Sequence, residues 1–235
     1  MLAGNIVQVR LERKALSAAV GPTCCSGREQ RSKTAFAGSA IPLSMKATLR
    51  KKLRVERRAL SEQDHRHRSL AAARAIMRLR FFHAGKRVAL YLPFDGESDT
   101  AALIAAAQRR GVQVFVPVIS HRRHARLRFY PLTGATAPGE FGISVPRLRL
   151  TPVLPQWLDL IVVPLVGVDA KGRRLGMGGG YYDRALAFRR RRRSWKGPHL
   201  VGLAFDCQRT KLKFADAWDR RLDSLATESG VEHFL

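Results

Sequence analysis

The sequence has little cysteine and no long hydrophobic run. Its three cysteines, Cys24, Cys25 and Cys207, are odd in number and show no C-x-x-C spacing, which argues against a disulfide framework. No apolar stretch reaches the length of about 18 residues that a membrane-spanning helix needs. The amino-terminal segment also lacks the apolar region of a secretory signal. These absences predict a soluble, reduced, cytoplasmic protein that does not contact the membrane.

Acidic residues are also scarce. The chain has 18 Asp and Glu residues against 43 Lys and Arg residues, which gives a formal net charge of +25. A basic surface of this kind steers anionic substrates and promotes nonspecific binding to nucleic acid. However, no RNA-binding signature, zinc finger or basic motif interleaved with aromatic residues accompanies the charge. We therefore expect anionic small molecules, and no specific nucleic acid, as partners.

What the sequence does contain is a dense glycine loop at residues 172–184. Glycines lack a Cβ, so a ligand can approach the backbone closely, and consecutive N–H groups can form an anion-binding concavity. Arg173 and Arg174 add positive charge suited to phosphate. The loop is neither a P-loop of the form G-x-x-x-x-G-K-[ST] nor a G-x-G-x-x-G dinucleotide fingerprint. Its composition nevertheless indicates nucleotide chemistry.

The position of the loop supports this interpretation. The apolar run at residues 158–166 predicts a buried strand before the loop, and residues 181–190 predict a helix after it. A strand, a glycine loop and a helix in this order present helix N–H groups to a phosphate. Asp183 falls in the first turn of the helix, where it is stabilised by the helix dipole. As a hard oxygen ligand, it can also hold Mg²⁺ beside a nucleotide.

Helix and strand patterns alternate from Met45 onward. This alternation predicts an α/β fold, namely a three-layer α/β/α sandwich with a mostly parallel, Rossmann-like central sheet, in a single domain of residues 45–235. Residues 225–227 are expected to be the last strand. Residues 1–44 are expected to be a disordered extension, or an upstream segment before a true start at Met45. Ligands of such sheets bind outside the carboxyl ends of the strands, where the segments 91–100 and 167–183 begin.

Several motifs, in the right order, closely resemble the 5-formyltetrahydrofolate cyclo-ligase (5,10-methenyltetrahydrofolate synthetase) family. The most specific is the glycine loop itself, at residues 174–184. The others are Lys-Ala-Thr-Leu-Arg at 46–50, Tyr-Leu-Pro-Phe-Asp-Gly-Glu-Ser-Asp-Thr at 91–100, Asp-Leu-Ile-Val-Val-Pro at 159–164, Gly-Leu-Ala-Phe at 202–205 and Trp-Asp-Arg-Arg-Leu-Asp at 218–223. The resemblance extends from about residue 45 to residue 231.

The resemblance implies an ATP-dependent carbon–nitrogen ligase. Members of the family convert 5-formyltetrahydrofolate to 5,10-methenyltetrahydrofolate and release ADP and phosphate. The formyl oxygen is phosphorylated, and N10 then closes the ring. ATP is therefore the expected co-substrate and Mg²⁺ the expected metal, and no nucleophilic Ser or Cys is required. We expect the protein to act as a monomer on these small molecules.

The resemblance also implies roles for single residues, each by its position in a matching motif. Arg174 and Tyr181 are the expected catalytic residues. Asp183 and Asp219 are the expected Mg²⁺ ligands, with Asp223 as a competing candidate for the second position. The residues expected to bind ATP are Lys46, Arg50, Arg174, Leu175, Gly176, Met177, Gly178, Gly179, Gly180, Tyr181 and Tyr182.

Leu92, Glu97, Met177 and Tyr181 are expected to bind the folate. A carboxylate at Glu97 suits the donor-rich edge of a pterin, because an ionised carboxylate only accepts hydrogen bonds. The residues alone leave other interpretations open. A related ATP-using enzyme would keep the glycine loop and act on another small substrate, whereas a nucleic-acid-binding protein would use the positive charge. Lys46 and Arg50, one helical turn apart, could also form a solvated basic face.

Overall fold

The computed structural model describes residues 42–120, 126–139, 142–147, 150–190, 197–212, 214 and 221–234. Within these ranges the helices are α1 (Leu43–Arg58), α2 (Glu62–Met77), α3 (Ala101–Arg109) and α4 (Tyr181–Ala185). The strands are β1 (Arg87–Ala89), β2 (Gln113–Ser120), β3 (Arg126–Pro131), β4 (Thr136–Pro138), β5 (Ser144–Pro146), β6 (Leu160–Pro164), β7 (Gly167–Asp169), β8 (Arg174–Leu175), β9 (His199–Leu203), β10 (Arg209–Thr210), β11 (Ser224–Thr227) and β12 (Gly230–His233).

A seven-stranded sheet forms the centre of the fold. Its strand order is β12-β11-β9-β6-β1-β2-β3. The five inner strands pair in parallel, while the edge strands β12 and β3 run antiparallel to their neighbours. Residues 160–163 of β6 are all buried, as expected for a parallel strand covered on both faces. The predicted mostly parallel sheet is confirmed.

Different elements cover the two faces of the sheet. Because strand side chains alternate between faces, Leu160 and Val162 of β6 pack with α2 and α3, whereas Ile161 and Val163 face the other way. The second face is covered by Leu186, just after α4, and by residues of the connecting segments. The α/β class with helices on both faces is therefore confirmed, although the second helical layer is short.

Helix α1 packs away from the centre of the large sheet. Its apolar residues Leu49 and Leu53 pack on Val166, Leu175 and Phe214, beside the small sheet β10-β7-β8. Gly167 at the start of β7 makes this close approach possible, because a Cβ there would clash with Leu53 Cδ1. The helix thus lies next to the segment that carries the glycine loop.

The start of α2 has a side-chain cap, and the end of the sheet differs from the prediction. Ser61 caps α2, because its Oγ accepts a hydrogen bond from the Asp64 N–H at 3.0 Å. The prediction that the last strand ends at residue 227 is wrong, because β12 follows it as an antiparallel edge. The expectation for residues 1–44 falls mostly outside the described residues, and α1 begins at Leu43. Among the helices that are described, none is long and apolar enough to cross a membrane.

Candidate active site

A cavity of about 980 Å³ opens at the carboxyl ends of β1, β2 and β6. This is the edge at which ligands bind in parallel α/β sheets. Every residue predicted to bind ATP or folate lines this cavity, and so does Asp183 of the predicted metal site. These residues are Lys46, Arg50, Leu92, Glu97, Arg174, Leu175, Gly176, Met177, Gly178, Gly179, Gly180, Tyr181, Tyr182 and Asp183.

The glycine loop forms one wall of the cavity. Gly178 has φ +104° and Gly180 has φ +63°, so both adopt left-handed backbone that other residues rarely tolerate. Gly180 is the residue that precedes α4. The Arg50 Nε on α1 donates a hydrogen bond to the Gly176 carbonyl at 2.8 Å, which ties the loop to α1. The buried Lys46 lies one helical turn earlier on α1 and lines the same cavity.

The helix after the loop is shorter than predicted. A helix was expected over residues 181–190, but α4 ends at Ala185 and a 3-10 turn covers Ala187–Arg190. The physical reason is tertiary. Leu186 is fully buried in the core, and Arg189 makes two hydrogen bonds to Asp223, at 2.9 and 3.0 Å. These contacts are made in place of further helical turns.

Arg174 and Asp183 form an ion pair inside the cavity. The Arg174 Nη2 lies 2.9 Å from the Asp183 Oδ1, and only 8% of the Arg174 side chain is exposed. The same guanidinium lies 5.3 Å from the ring centre of Tyr182. On the outer side, the Arg184 guanidinium lies 5.1 Å from the Tyr181 ring. Two arginines are therefore stacked on the two tyrosines, with their charge beside the glycine loop.

The structure separates the metal-ligand candidates. Asp183 lines the cavity, and Asp219 lies outside the described residues. Asp223 is paired with Arg189 and accepts a hydrogen bond from the Leu200 N–H, so it lies at the amino end of β9, away from the cavity. Within the described ranges, no three His, Cys, Asp or Glu side chains are grouped to hold a metal. Mg²⁺ bound through one carboxylate and phosphate oxygens needs no such group, so Asp183 fits it.

Glu97 lines the same cavity from the segment after β1. Its Oε2 accepts a hydrogen bond from the Phe94 N–H at 3.2 Å. Burial raises the pKa of the Glu97 carboxyl to about 7, although the nearby charge of Arg57 and this hydrogen bond act against the rise. Burial also raises the pKa of Tyr182 well above its usual range, so that phenol stays neutral. Glu97 is thus a carboxyl group whose charge changes near neutral pH.

The elevated pKa of Glu97 predicts a pH-dependent cost to stability. The unfolded chain releases this proton near pH 4.5, whereas the folded chain holds it until about 7, so the free energy of unfolding falls between these values. Glu97→Gln is therefore expected to stabilise the protein more at about pH 8 than at about pH 5. Urea unfolding of both proteins at the two pH values measures this difference. The same substitution at the exposed Glu62 should show no such dependence, and equal differences for Glu97→Gln at both pH values would contradict the prediction.

The cavity also contains residues that the sequence did not predict. Most are apolar, and they come from segments far apart in the chain. Phe94, Ile119 and Leu127 are examples, from the segment after β1, from β2 and from β3. The strand-end rule could have found Pro164 and Leu165 at the end of β6. The full additional set is Leu43, Tyr91, Phe94, Pro117, Ile119, Leu127, Ile143, Pro164, Leu165, Arg184 and Ala187.

The site therefore combines a cationic glycine loop with an apolar pocket that holds one half-buried carboxyl group. This arrangement, at the carboxyl ends of a parallel sheet, is that of an α/β enzyme that takes an anionic ligand beside an apolar one. Residues 42–228 match the model of the 5-formyltetrahydrofolate cyclo-ligase family. The chain belongs to that family, as its motifs predicted.

Individual relatives agree with this assignment. The chain is similar to the 5-formyltetrahydrofolate cyclo-ligase of Escherichia coli, with 35% identity over 184 residues that cover 76% of this chain and 98% of the relative. It is 40% identical to that of Haemophilus influenzae over 140 residues, which cover 57% and 71% of the two chains. The solved 5,10-methenyltetrahydrofolate synthetase of Aquifex aeolicus superposes with a TM-score of 0.68 at 34% identity, covering 80% of this chain and 92% of that one.

Proposed function

We propose that this protein converts 5-formyltetrahydrofolate to 5,10-methenyltetrahydrofolate, with ATP hydrolysed to ADP and phosphate. Membership of the family supports the proposal. The observation that carries it at the level of the site is one cavity that joins the glycine loop to Glu97 through an apolar wall. A phosphate donor and a flat heterocycle can therefore be held side by side, with the reacting atoms between them.

The chemistry requires an activated formyl group. A formamide carbon is a poor electrophile, because its nitrogen donates electrons into the carbonyl. The formyl oxygen attacks the γ-phosphorus of ATP, and the bond from that phosphorus to ADP breaks. N10 then attacks the formyl carbon and loses its proton, and the carbon–oxygen bond breaks so that phosphate departs. Phosphoryl transfer of this kind is catalysed chiefly by positioning and charge stabilisation.

The cationic side of the cavity suits the phosphoryl step. Arg174 provides a largely buried guanidinium beside the glycine loop, and Lys46 and Arg50 approach from α1. These charges and the loop N–H groups would bind the triphosphate, with Tyr181 and Tyr182 packed beside it. When bound, Mg²⁺ would neutralise charge on the phosphates. Asp183 would hold it at the start of α4, in exchange for its pairing with Arg174.

The other side of the cavity suits the folate. The Glu97 carboxylate would accept hydrogen bonds from the donors of the pterin edge. Leu92 and Met177 would contact the faces of the ring system, and Tyr181 would lie where the two ligands meet. We further propose that the protein acts as a monomer in the cytoplasm, on small molecules rather than on nucleic acid. A strongly basic chain suits substrates that are themselves anionic.

A direct assay tests the proposal. The full chain is mixed with 5-formyltetrahydrofolate, ATP and Mg²⁺, and the absorbance of methenyltetrahydrofolate is followed. We expect a rise that requires ATP. No rise from folded protein that binds ATP would reject the folate assignment and leave an enzyme for another small substrate. Steeply salt-dependent binding of RNA, with no turnover, would favour the nucleic-acid alternative.

A further inference from the structure

Three arginines at the end of α1 converge on Asp95. The Arg54 Nε lies 2.8 Å and the Arg57 Nη2 lies 3.1 Å from the Asp95 Oδ2, and Arg58 contacts the Oδ1. The Asp95 side chain is only 4% exposed, whereas the Arg58 side chain is 55% exposed. One buried carboxylate thus fastens the segment after β1 to α1.

Asp95 belongs to the turn that presents Glu97. Asp95 has φ +57° and Gly96 has φ +74°, and the Glu97 N–H donates to the Phe94 carbonyl at 3.1 Å. Two successive left-handed residues closed by this bond form a type I′ turn, for which Asp-Gly is a preferred pair. Any rotation of the turn would therefore move the Glu97 carboxylate within the cavity.

Arg57 has a different environment from the other two arginines. Its side chain is 1% exposed, and it donates from Nη2 to the Asp95 carbonyl at 2.5 Å and from Nη1 to the Leu165 carbonyl at 3.4 Å. Leu165 follows β6 and lines the cavity. Arg57 therefore connects the Glu97 turn to the end of a central strand. A charge buried this deeply costs free energy, which its contacts with Asp95 and the Leu165 carbonyl offset.

We propose that Arg57 is a positioning residue that holds the Glu97 carboxylate in place for the folate, through the Asp95 turn. The inference rests on the proposed function. It also follows from the layout of α1, because Arg50 contacts the glycine loop two turns before Arg57 contacts the Glu97 turn. The same helix thus sets the spacing between the nucleotide side and the folate side of the site.

The test separates the two sides of the site. We expect Arg57→Gln to raise the KM for 5-formyltetrahydrofolate about ten-fold, as small misplacements of binding groups do. The Kd for ATP, measured by calorimetry, should stay within about two-fold, because the contacts of the glycine loop are intact. Arg57→Lys should have a KM for the folate between those of the wild type and Arg57→Gln. As the matched control, Arg58→Gln should leave both values near those of the wild type, because the Arg58 side chain is 55% exposed and Asp95 keeps its pairing with Arg54 and Arg57.

Arg57→Gln should also move the acid limb of the pH profile of kcat/KM for the folate to higher pH. The titratable or charged groups that face the Glu97 side chain are Arg57, Tyr91 and Tyr182, and His65 of α2 contacts the Glu97 carbonyl at 3.1 Å. Of these groups, Arg57 is the one whose charge holds the pKa of Glu97 down. If Arg57 only supported the fold, Arg57→Gln would weaken the binding of folate and of ATP together. The acid limb of the pH profile would then stay where it is in the wild type. Asp95→Asn, which keeps a residue tolerant of positive φ, replaces Arg57→Gln if that variant does not fold.

Three outcomes would overturn the inference. If Arg57→Gln has the same KM for the folate as the wild type, the inference is overturned and the proposed function stands. Equal losses of affinity for ATP and for the folate would also overturn the inference and leave the proposed function standing. An inactive wild-type protein would remove the proposed function and the inference with it.

Discussion

Replacing Arg174 by methionine is expected to lower kcat about a thousand-fold, because it removes a preorganised charge from the proposed phosphoryl-transfer site. The Arg174 guanidinium is largely buried, pairs with Asp183 at 2.9 Å and donates to the Pro164 carbonyl at the end of β6. It therefore needs little reorganisation to stabilise charge on a transferring phosphoryl group. The absorbance assay with saturating ATP and folate gives kcat, and calorimetry gives the Kd for ATP.

The neighbouring arginine provides a matched control for this prediction. Arg173 precedes Arg174 and does not line the cavity, so Arg173→Met should retain activity within about two-fold. Arg174→Lys should fall between the wild type and Arg174→Met, because lysine keeps the charge but lacks the planar fork. Thermal unfolding checks that each variant is folded. An Arg174→Met protein that is folded and retains a tenth or more of wild-type kcat would remove Arg174 from the catalytic machinery, on the scale expected for such charges.

The site could be predicted from the sequence where its residues are contiguous. The glycine loop places an arginine, four glycines, two tyrosines and an aspartate within residues 174–183, so local composition and the strand-to-helix context identify it. Glu97 follows the end of β1, and the rule for parallel sheets brings it to the same edge. Local pattern and sheet topology were therefore enough to predict these two segments of the site.

The contacts that organise the site could not be predicted, because they join distant parts of the chain. The bond from Arg50 to Gly176 spans 126 residues, and that from Arg57 to Leu165 spans 108. Arginines on α1 are numerous, and Arg57 lies four residues after Leu53 on the buried face of the helix, whereas Arg58 lies outside that face. The spacing indicates which arginine is buried, but only the approach of α1 to the ends of β1 and β6 decides what that arginine contacts.

Errors in the predicted elements have the same origin. The pattern of residues 181–190 favours a helix, yet burial of Leu186 and the pairing of Arg189 with Asp223 end α4 early. Strand β12 has little local signal, since it is a short edge strand that contributes only Val231 to the core. In both places tertiary contacts outweigh local propensity.

Replacing Glu97 by glutamine is expected to raise the KM for 5-formyltetrahydrofolate by about 10- to 150-fold, the range for hydrogen bonds to a charged group. A carboxylate offers only acceptors, whereas a glutamine amide places two donors and one acceptor against the donor-rich pterin edge. The KM for ATP should change much less, because the glycine loop is untouched. Glu62→Gln, on the exposed first turn of α2, is the control with the same substitution and should behave as wild type.

The pH dependence makes this last prediction specific to the charge of Glu97. Since burial raises the pKa of Glu97 to about 7, the free enzyme loses the carboxylate proposed to bind the folate as the pH falls through that value. Wild-type kcat/KM for the folate should therefore decline below about pH 7, while Glu97→Gln should be low and flat across the same range. If Glu97→Gln kept the decline of kcat/KM at low pH, the group that titrates would be one other than Glu97. A variant with wild-type KM would show that the folate edge does not lie at Glu97, and the orientation of the folate in the cavity would then have to be reversed.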